Sequence, residues 1–81
     1  MKARVQFYSQ LRDLAGAPEL TIDLAEGSTV MDLLEKIYAN VPALRSLDKS
    51  ILVGAGVEFV DRNYKLQPND EISIMPPVQG G

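Results

Sequence analysis

Residues 29–40 read TVMDLLEKIYAN and contain the clearest helical pattern in the chain. Apolar side chains recur there at spacings of three and four, which places one face of a helix at Val30, Leu33, Leu34 and Ile37. Thr29 followed three residues later by Asp32 resembles a capping box and predicts where the helix begins. Because Pro42 disfavours helical backbone at the residue before it, the helix is expected to end near Asn40.

Strand-like patterns flank this helix on both sides. They cover residues 2–8, 20–24, 51–55, 58–60 and 71–75, where apolar residues alternate with polar ones or form short β-prone runs. The first and last of these strands are expected to pair as parallel neighbours in the middle of the sheet. The order of elements therefore predicts an α+β fold, a mixed sheet of four to five strands with one principal helix packed on one face.

Shorter elements connect these segments. Ser9 is expected to cap a short helix over residues 10–15, which Gly16 ends. A further helical turn is expected over residues 42–47, where Pro occupies the first position. The sequence QPND at residues 67–70 is typical of a β-turn, because Pro presets φ and Asn tolerates positive φ.

Composition excludes several classes of function. The chain has 81 residues, a net charge of −3, no Cys and no His. One small domain without these residues has no disulfide, no Cys/His zinc site and no Ser-His-Asp triad of its own. Its mild acidity argues against binding to nucleic acid. No apolar run approaches the ~20 residues that span a bilayer, and no signal-peptide core follows the N-terminus, so we expect a cytoplasmic protein without membrane attachment.

Two weak motifs are rejected as ligand sites. The glycines of residues 54–56 lack the third glycine of a dinucleotide loop, so they indicate a bulge or a close backbone approach. Residues 61–63 begin like a calcium loop, but Leu66 stands at the required glycine and Ile72 at the bidentate Glu. We therefore expect no bound metal and no bound cofactor.

The segment after the last predicted strand reads PPVQGG, residues 76–81. Its prolines cannot donate to a strand ladder, so we expect a domain over residues 1–75 and an extended tail over residues 76–81. Gly80 and Gly81 have no Cβ to obstruct the terminal carbonyl, which suits a narrow channel on another protein. An ATP-dependent partner could adenylate the carboxylate for attack by sulfur or an amine. The alternative is an inert, frayed terminus.

The whole chain resembles the small subunits of molybdopterin synthase, which are ubiquitin-like sulfur carriers with a β-grasp fold. The resemblance rests on the opening strand, LRDLAG at residues 11–16, the helix start at residues 29–33 and, most specifically, PPVxGG at residues 76–81. Pro-Pro-Val favours these subunits over the thiamine-pathway carriers. The family often has an Asn-Gly turn where this chain has GAGV at residues 54–57, and Gly-Asp where it has Asn-Asp at residues 69–70. These departures concern partner choice and not the carrier role.

The resemblance implies a sequence of partners. An adenylyltransferase of the ubiquitin-activating type would use ATP to attach AMP to Gly81, and a persulfide donor would convert the product to a thiocarboxylate. Residues 76–81 would then enter the large synthase subunit and donate sulfur to cyclic pyranopterin monophosphate. The chain would be the sulfur-donating subunit of a heterotetramer with two small and two large subunits, not catalytic alone.

Two positions on the sheet extend the predicted partner contact. Because Ile72 and Ile74 are expected to face the helix, Met75 faces the opposite side of the sheet. Met75 and Phe59, which is on a nearby strand, are therefore predicted to form an apolar docking patch. The resemblance supports this prediction, because the matching positions in the family are apolar and contact the partner. Ordinary exposed surface is the alternative reading of both residues.

The predicted site therefore has two parts. Gly80 and Gly81 form the reacting end. The partner-contacting positions are Arg12, Phe59, Met75, Pro76, Pro77, Val78 and Gln79. Arg62 and Lys65, near a turn, are interpreted as ordinary surface. Three alternatives stay open: a sulfur carrier for thiamine or tRNA thiolation, a protein modifier joined through Gly81 to lysines, and an interaction module with an inert tail.

Overall fold

A computed structural model describes residues 1–77, and within them five strands form one mixed sheet. The strands are β1 (Lys2–Phe7), β2 (Glu19–Asp23), β3 (Leu52–Ala55), β4 (Glu58–Val60) and β5 (Glu71–Met75). Their order across the sheet is β2-β1-β5-β3-β4. The first and last strands, β1 and β5, pair in parallel, and the other neighbours are antiparallel. The predicted pairing of the first and last strands is confirmed.

The principal helix, α2 (Val30–Asn40), begins and ends where the sequence predicts. The backbone N–H of Asp32 donates to Thr29 Oγ1, and the N–H of Thr29 donates to Asp32 Oδ2 at 2.9 Å, which completes the capping box. The buried residues of α2 are Val30, Leu33, Leu34, Ile37 and Tyr38. A 3₁₀ helix (Pro42–Ser50) follows, so the predicted extra turn is longer than expected.

The core lies between α2 and one face of the sheet. Val5 and Phe7 of β1 and Ile72 and Ile74 of β5 are buried on this face, as alternation requires. The other face, which we call the open face, carries exposed side chains such as Arg4. Among residues 1–77, no helix combines the length and apolar character needed to cross a membrane.

The short helix α1 (Gln10–Ala15) confirms one expectation about its ends and corrects another. Gly16 ends it in the left-handed conformation, with φ of 74°, as predicted. The predicted Ser9 cap is wrong, because the Ser9 side chain makes no capping hydrogen bond within the described part of the chain. Ser9 has φ of 56°, and its carbonyl oxygen, not its hydroxyl, accepts the N–H of Arg12 at 3.1 Å.

The predicted bulge at residues 54–56 is also wrong. Register is continuous through the β3–β4 pair, where Gly54 lies opposite Phe59 and Ala55 opposite Glu58. Gly56 has φ of 63° and begins the two-residue turn that joins these strands. The close backbone approach, which was the other interpretation of these glycines, is not found at Gly54 either, because a Cβ there would lie 3.6 Å from the nearest backbone atom, the Glu58 carbonyl oxygen, which is an ordinary contact.

Arg62 is a structural residue, which corrects its interpretation as ordinary surface. Its guanidinium donates to Asp48 Oδ1 and to the Asp48 carbonyl oxygen, both at 2.8 Å, and to the Ile51 carbonyl oxygen at 3.2 Å. The Asp48 carbonyl also accepts the N–H of Ile51 at 3.3 Å, so Arg62 adds side-chain donors to the backbone acceptors at the end of the 3₁₀ helix. The Tyr38 hydroxyl also donates to Asp48 Oδ1, at 2.5 Å. Burial, with the neighbouring carboxylate, raises the pKa of Tyr38 well above its ordinary value.

This cluster predicts an acid-dependent stability. The hydrogen bonds from Tyr38 and Arg62 lower the pKa of Asp48 below its ordinary value of 3.8. Because the folded-state pKa is depressed, the stabilisation is complete above the unfolded-state value and is lost as pH falls through the folded-state value. Asp48→Asn should therefore lower the free energy of unfolding by about 1 kcal/mol near neutral pH, since the group is partly exposed.

Urea unfolding at a series of pH values checks this prediction. The difference between wild type and Asp48→Asn should shrink as pH falls below about 4, the range in which the unfolded carboxyl titrates. Glu26→Gln, a change at an exposed turn, is the control. Its free energy of unfolding should differ little from that of the wild type at every pH. A difference for Asp48→Asn that stays constant into strong acid would contradict the account.

Candidate docking face and tail exit

Three neighbouring strands place apolar side chains on the open face. Phe59 on β4 lies opposite Gly54 on β3, and Gly54 lies opposite Ser73 on β5. Residues that are opposite one another share a face, so Phe59 and Ser73 point to the same side, and Met75, two residues beyond Ser73, joins them. Phe59 is 67% exposed and Met75 is half-buried. The structure thus brings the two predicted patch residues to one surface.

A depression separates Phe59 from Met75, and Gly54 forms its floor. A Cβ added at Gly54 would lie 3.4 Å from Met75 Cε, 3.6 Å from the Glu58 carbonyl oxygen and 3.8 Å from Ser73 Cβ. We call this depression the Gly54 socket. Its volume is about 240 Å³, and its lining residues are Tyr8, Gly54, Gly56, Val57, Glu58, Phe59, Ser73 and Met75.

Three more exposed apolar residues complete the surface and were not predicted from the sequence. Tyr8 is 45% exposed and Leu52 36% exposed, and Val57 at the β3–β4 turn is fully exposed. Leu52 lies opposite Met75 and therefore shares the open face with it. In the sequence, the only indication of this was that residues 52 and 54 of a predicted strand point to the same side. We call the whole surface the apolar patch, and its members are Tyr8, Leu52, Val57, Phe59 and Met75.

The other half of the open face is charged. Lys2 pairs with Asp23 at 3.0 Å, and Arg4 pairs with Glu19 at 3.4 Å. The hydrogen bond from Lys2, followed by its positive charge, lowers the pKa of Asp23. Such exposed pairs contribute little to stability. They do give the open face two halves of different chemistry, with the apolar half beside the end of β5.

The tail leaves the sheet at the edge of the apolar patch. Met75 ends β5, Pro76 is half-buried and Pro77 is exposed. Both prolines line a cavity of about 300 Å³, whose other lining residues are Ser9, Gln10, Leu11, Leu47, Ser50 and Ile51. The predictions for Val78, Gln79, Gly80 and Gly81 lie outside the described residues.

Arg12 occupies an exposed position on α1. It lines a shallow cavity together with Tyr8, Arg4 and Gln6, so Tyr8 stands between Arg12 and the Gly54 socket. Its contact with a partner remains a prediction. Across residues 1–77, no group of three or more acidic side chains is placed to hold a metal ion.

A family comparison decides the assignment of the chain. The model of the ThiS family matches residues 5–81. The chain belongs to the ThiS family. This match includes the four residues that follow the described part of the chain, and it confirms the relationship that the sequence motifs indicated.

Individual relatives agree with the family match. A Chlamydomonas reinhardtii protein named "Molybdopterin synthase sulfur carrier subunit" is 36% identical over 100% of both chains. A putative molybdopterin converting factor, subunit 1, from Pyrococcus furiosus has a TM-score of 0.88 at 27% identity, covering 96% of this chain and 99% of that chain. SAMP1 from Haloferax volcanii, a small archaeal modifier protein, has a TM-score of 0.88 at 26% identity over 100% of each chain. The ubiquitin-like β-grasp fold is therefore confirmed.

Proposed function

We propose that this ThiS-family chain is the sulfur carrier subunit of a molybdopterin synthase, and that it works in the cytoplasm with a thiocarboxylate on Gly81. The observation that carries the proposal is the end-to-end match to the Chlamydomonas reinhardtii protein of that name. The fold supports it, because β5 runs directly into Pro76 and Pro77 beside an apolar surface.

The composition favours a carboxyl-borne sulfur. The chain contains no Cys, so no side-chain thiol is present to carry sulfur as a persulfide. In the proposed activation, a Gly81 carboxylate oxygen attacks the α-phosphorus of ATP, and pyrophosphate leaves. A donor persulfide then attacks the acyl adenylate and displaces AMP. Reduction of the acyl disulfide by a thiol leaves the thiocarboxylate on Gly81 and a disulfide on the donor.

The partners in this proposal follow from the same chemistry. An adenylyltransferase binds the ATP, and a persulfide donor supplies the sulfur, so this chain needs no bound cofactor. A large synthase subunit receives residues 76–81 and holds the pterin substrate. The word "subunit" in the relatives' names supports such a companion. Phe59 and Met75 would dock against it, with Arg12 as a supporting contact, in an assembly of two small and two large subunits.

Reconstitution tests the proposal. The purified chain is incubated with its adenylyltransferase, ATP and a persulfide donor, and is then mixed with the large subunit and cyclic pyranopterin monophosphate. Molybdopterin should form in proportion to the amount of chain that carries the thiocarboxylate, here called the charged chain, and omission of ATP should prevent its formation. A charged chain that yields no molybdopterin with an active large subunit would contradict this function and favour another sulfur acceptor, such as one in thiamine or tRNA thiolation.

A second candidate function is protein modification. It is favoured by the similarity to SAMP1, which covers the whole of both chains. In this case an amine of a target lysine would attack the Gly81 acyl adenylate and displace AMP, forming an isopeptide bond. Digestion of cell extracts should then yield lysines that carry the C-terminal glycines of this chain, and the sulfur-carrier role alone yields none.

A further inference from the structure

The first two residues of the tail cannot be held by strand pairing. The strands β3 and β5 pair as far as Leu52 and Met75, which lie opposite one another. Pro76 and Pro77 come next, and neither has a backbone N–H to donate to the ladder. We call these two prolines the stem. The direction in which the stem leaves the domain therefore depends on the side chains packed around it.

The ring of Pro76 lies on the helix side of the sheet, away from the apolar patch. Leu52 and Met75 face the open face, so the next opposed pair, Ile51 and Pro76, turns to the other side. Ile51 is buried and Pro76 is half-buried. Both line the cavity of about 300 Å³ that the stem shares with the end of the 3₁₀ helix. We call the lining residues from that end the stem wall, and they are Leu47, Ser50 and Ile51.

Arg62 holds the backbone of the stem wall. Its guanidinium donates to the Ile51 carbonyl oxygen at 3.2 Å and to the carbonyl oxygen of Asp48, which lies between Leu47 and Ser50, at 2.8 Å. Arg62 is itself anchored, because its own carbonyl oxygen accepts the N–H of Met31 at the start of α2, at 3.0 Å. The stem wall is thus tied through one side chain to the principal helix.

We propose that Arg62 is a positioning residue for sulfur transfer, which holds the stem wall so that the stem directs the tail into the large subunit. The inference rests on the proposed function, because that function makes the direction of the tail matter. Among the described residues, the hydrogen bonds of Arg62 reach the end of the 3₁₀ helix and α2, and none reaches the apolar patch. Loss of Arg62 should therefore slow transfer and leave docking unchanged, because the rate depends steeply on the placement of the reacting atoms.

Single-turnover transfer by Arg62→Lys tests this inference. The lysine keeps the positive charge but cannot reproduce the planar fork of donors. With an excess of large subunit, at a temperature where thermal unfolding shows the variant to be folded, the charged chain should form molybdopterin at least tenfold more slowly. Isothermal titration should give the wild-type Kd. Arg45→Lys is the matched control, because Arg45 lies on the same 3₁₀ helix but pairs with Glu35 at 3.3 Å, and it should transfer at the wild-type rate.

A second pair of variants tests the stem wall itself. Ile51→Val removes one methyl group from the wall and keeps the hydrogen bond from Arg62, which reaches the Ile51 backbone. Transfer should slow by about threefold at unchanged affinity, since a displacement below 1 Å costs less than the hundredfold of a full ångström. Ile22→Val makes the same change at a similarly buried position on β2 and should transfer as the wild type does. This pair decides the question if Arg62→Lys does not fold.

NMR of the free chain gives a readout that needs no partner. The Ile51 methyl should show Overhauser contacts to the Pro76 ring in the wild type and in Arg45→Lys, and these contacts should weaken in Arg62→Lys. Wild-type transfer rates in the folded Arg62→Lys and Ile51→Val variants would overturn the inference and leave the proposed function standing. A loss of affinity equal to the loss of rate would also overturn it, because Arg62 would then act on docking. A charged wild type that yields no molybdopterin would contradict the proposed function and the inference together.

Discussion

Sulfur transfer should be lost when Gly81 is deleted or when one residue is added after it. A shift by one residue moves the reacting carbonyl by about 3.3 to 3.6 Å along an extended chain. Reacting atoms must lie within about 3.5 Å of one another, and a displacement of 1 Å already costs about a hundredfold in rate. We therefore expect at least a hundredfold loss of molybdopterin formed per charged chain in the reconstituted reaction. Gly80→Val should also impair transfer, because its side chain obstructs a narrow channel.

The extended variant provides its own control. Removal of the added residue by a carboxypeptidase should restore transfer to the wild-type rate, because the folded domain has not changed. Urea unfolding of both forms should give the same free energy, since residues 76–81 follow the last strand. Full activity of an extended chain whose mass proves that it was not trimmed would contradict the positional argument.

Binding of the large subunit should be lost when Phe59 and Met75 are both replaced by aspartate. Both side chains lie on the open face, so the core between sheet and helix should remain intact. Docking would remove two carboxylates from water without a partner, which costs several kcal/mol. We expect at least a hundredfold loss of affinity in isothermal titration, at about 1.4 kcal/mol for each factor of ten.

The matched control for this double variant is Met31→Asp. Met31 is an exposed methionine on α2, away from the open face, so the same substitution there leaves the apolar patch unchanged. Its affinity should equal that of the wild type. An unchanged affinity of the Phe59→Asp and Met75→Asp double variant would show that the partner binds elsewhere.

The elements that were predicted correctly have strong local patterns. In α2, the spacing of its apolar residues, the Thr29 capping box and Pro42 all indicate the same boundaries, and the structure confirms them. Alternation in β1 and β5 assigned the buried face of each strand. These signals are local, so one sequence is enough to read them.

The missed features depend on distant parts of the chain. Arg62 stabilises the end of the 3₁₀ helix because folding brings it next to Asp48 and the Ile51 carbonyl, and no spacing in the sequence shows this. The Ser9 error has a different origin, because the positive φ of Ser9 places its carbonyl, not its hydroxyl, at the start of α1.

The candidate site divides in the same way. Met75 was assigned to the open face from the alternation of β5, which the structure confirms, whereas the role of the PPVQGG tail remains a prediction from its motif. Tyr8, Leu52 and Val57 were missed because the apolar patch depends on the order of the strands. Gly54 lies between Phe59 and Ser73 because β3 is placed between β4 and β5. No local sequence pattern predicts this strand order.

The most direct test of the central claim is the intact mass of the chain from its native cell, with the large subunit deleted so that the charged form accumulates. The account predicts a mass increase equal to the difference between sulfur and oxygen, and fragmentation should locate it at Gly81. A chain that keeps an unmodified carboxylate, both in that cell and after incubation with ATP, the adenylyltransferase and a persulfide donor, would contradict it.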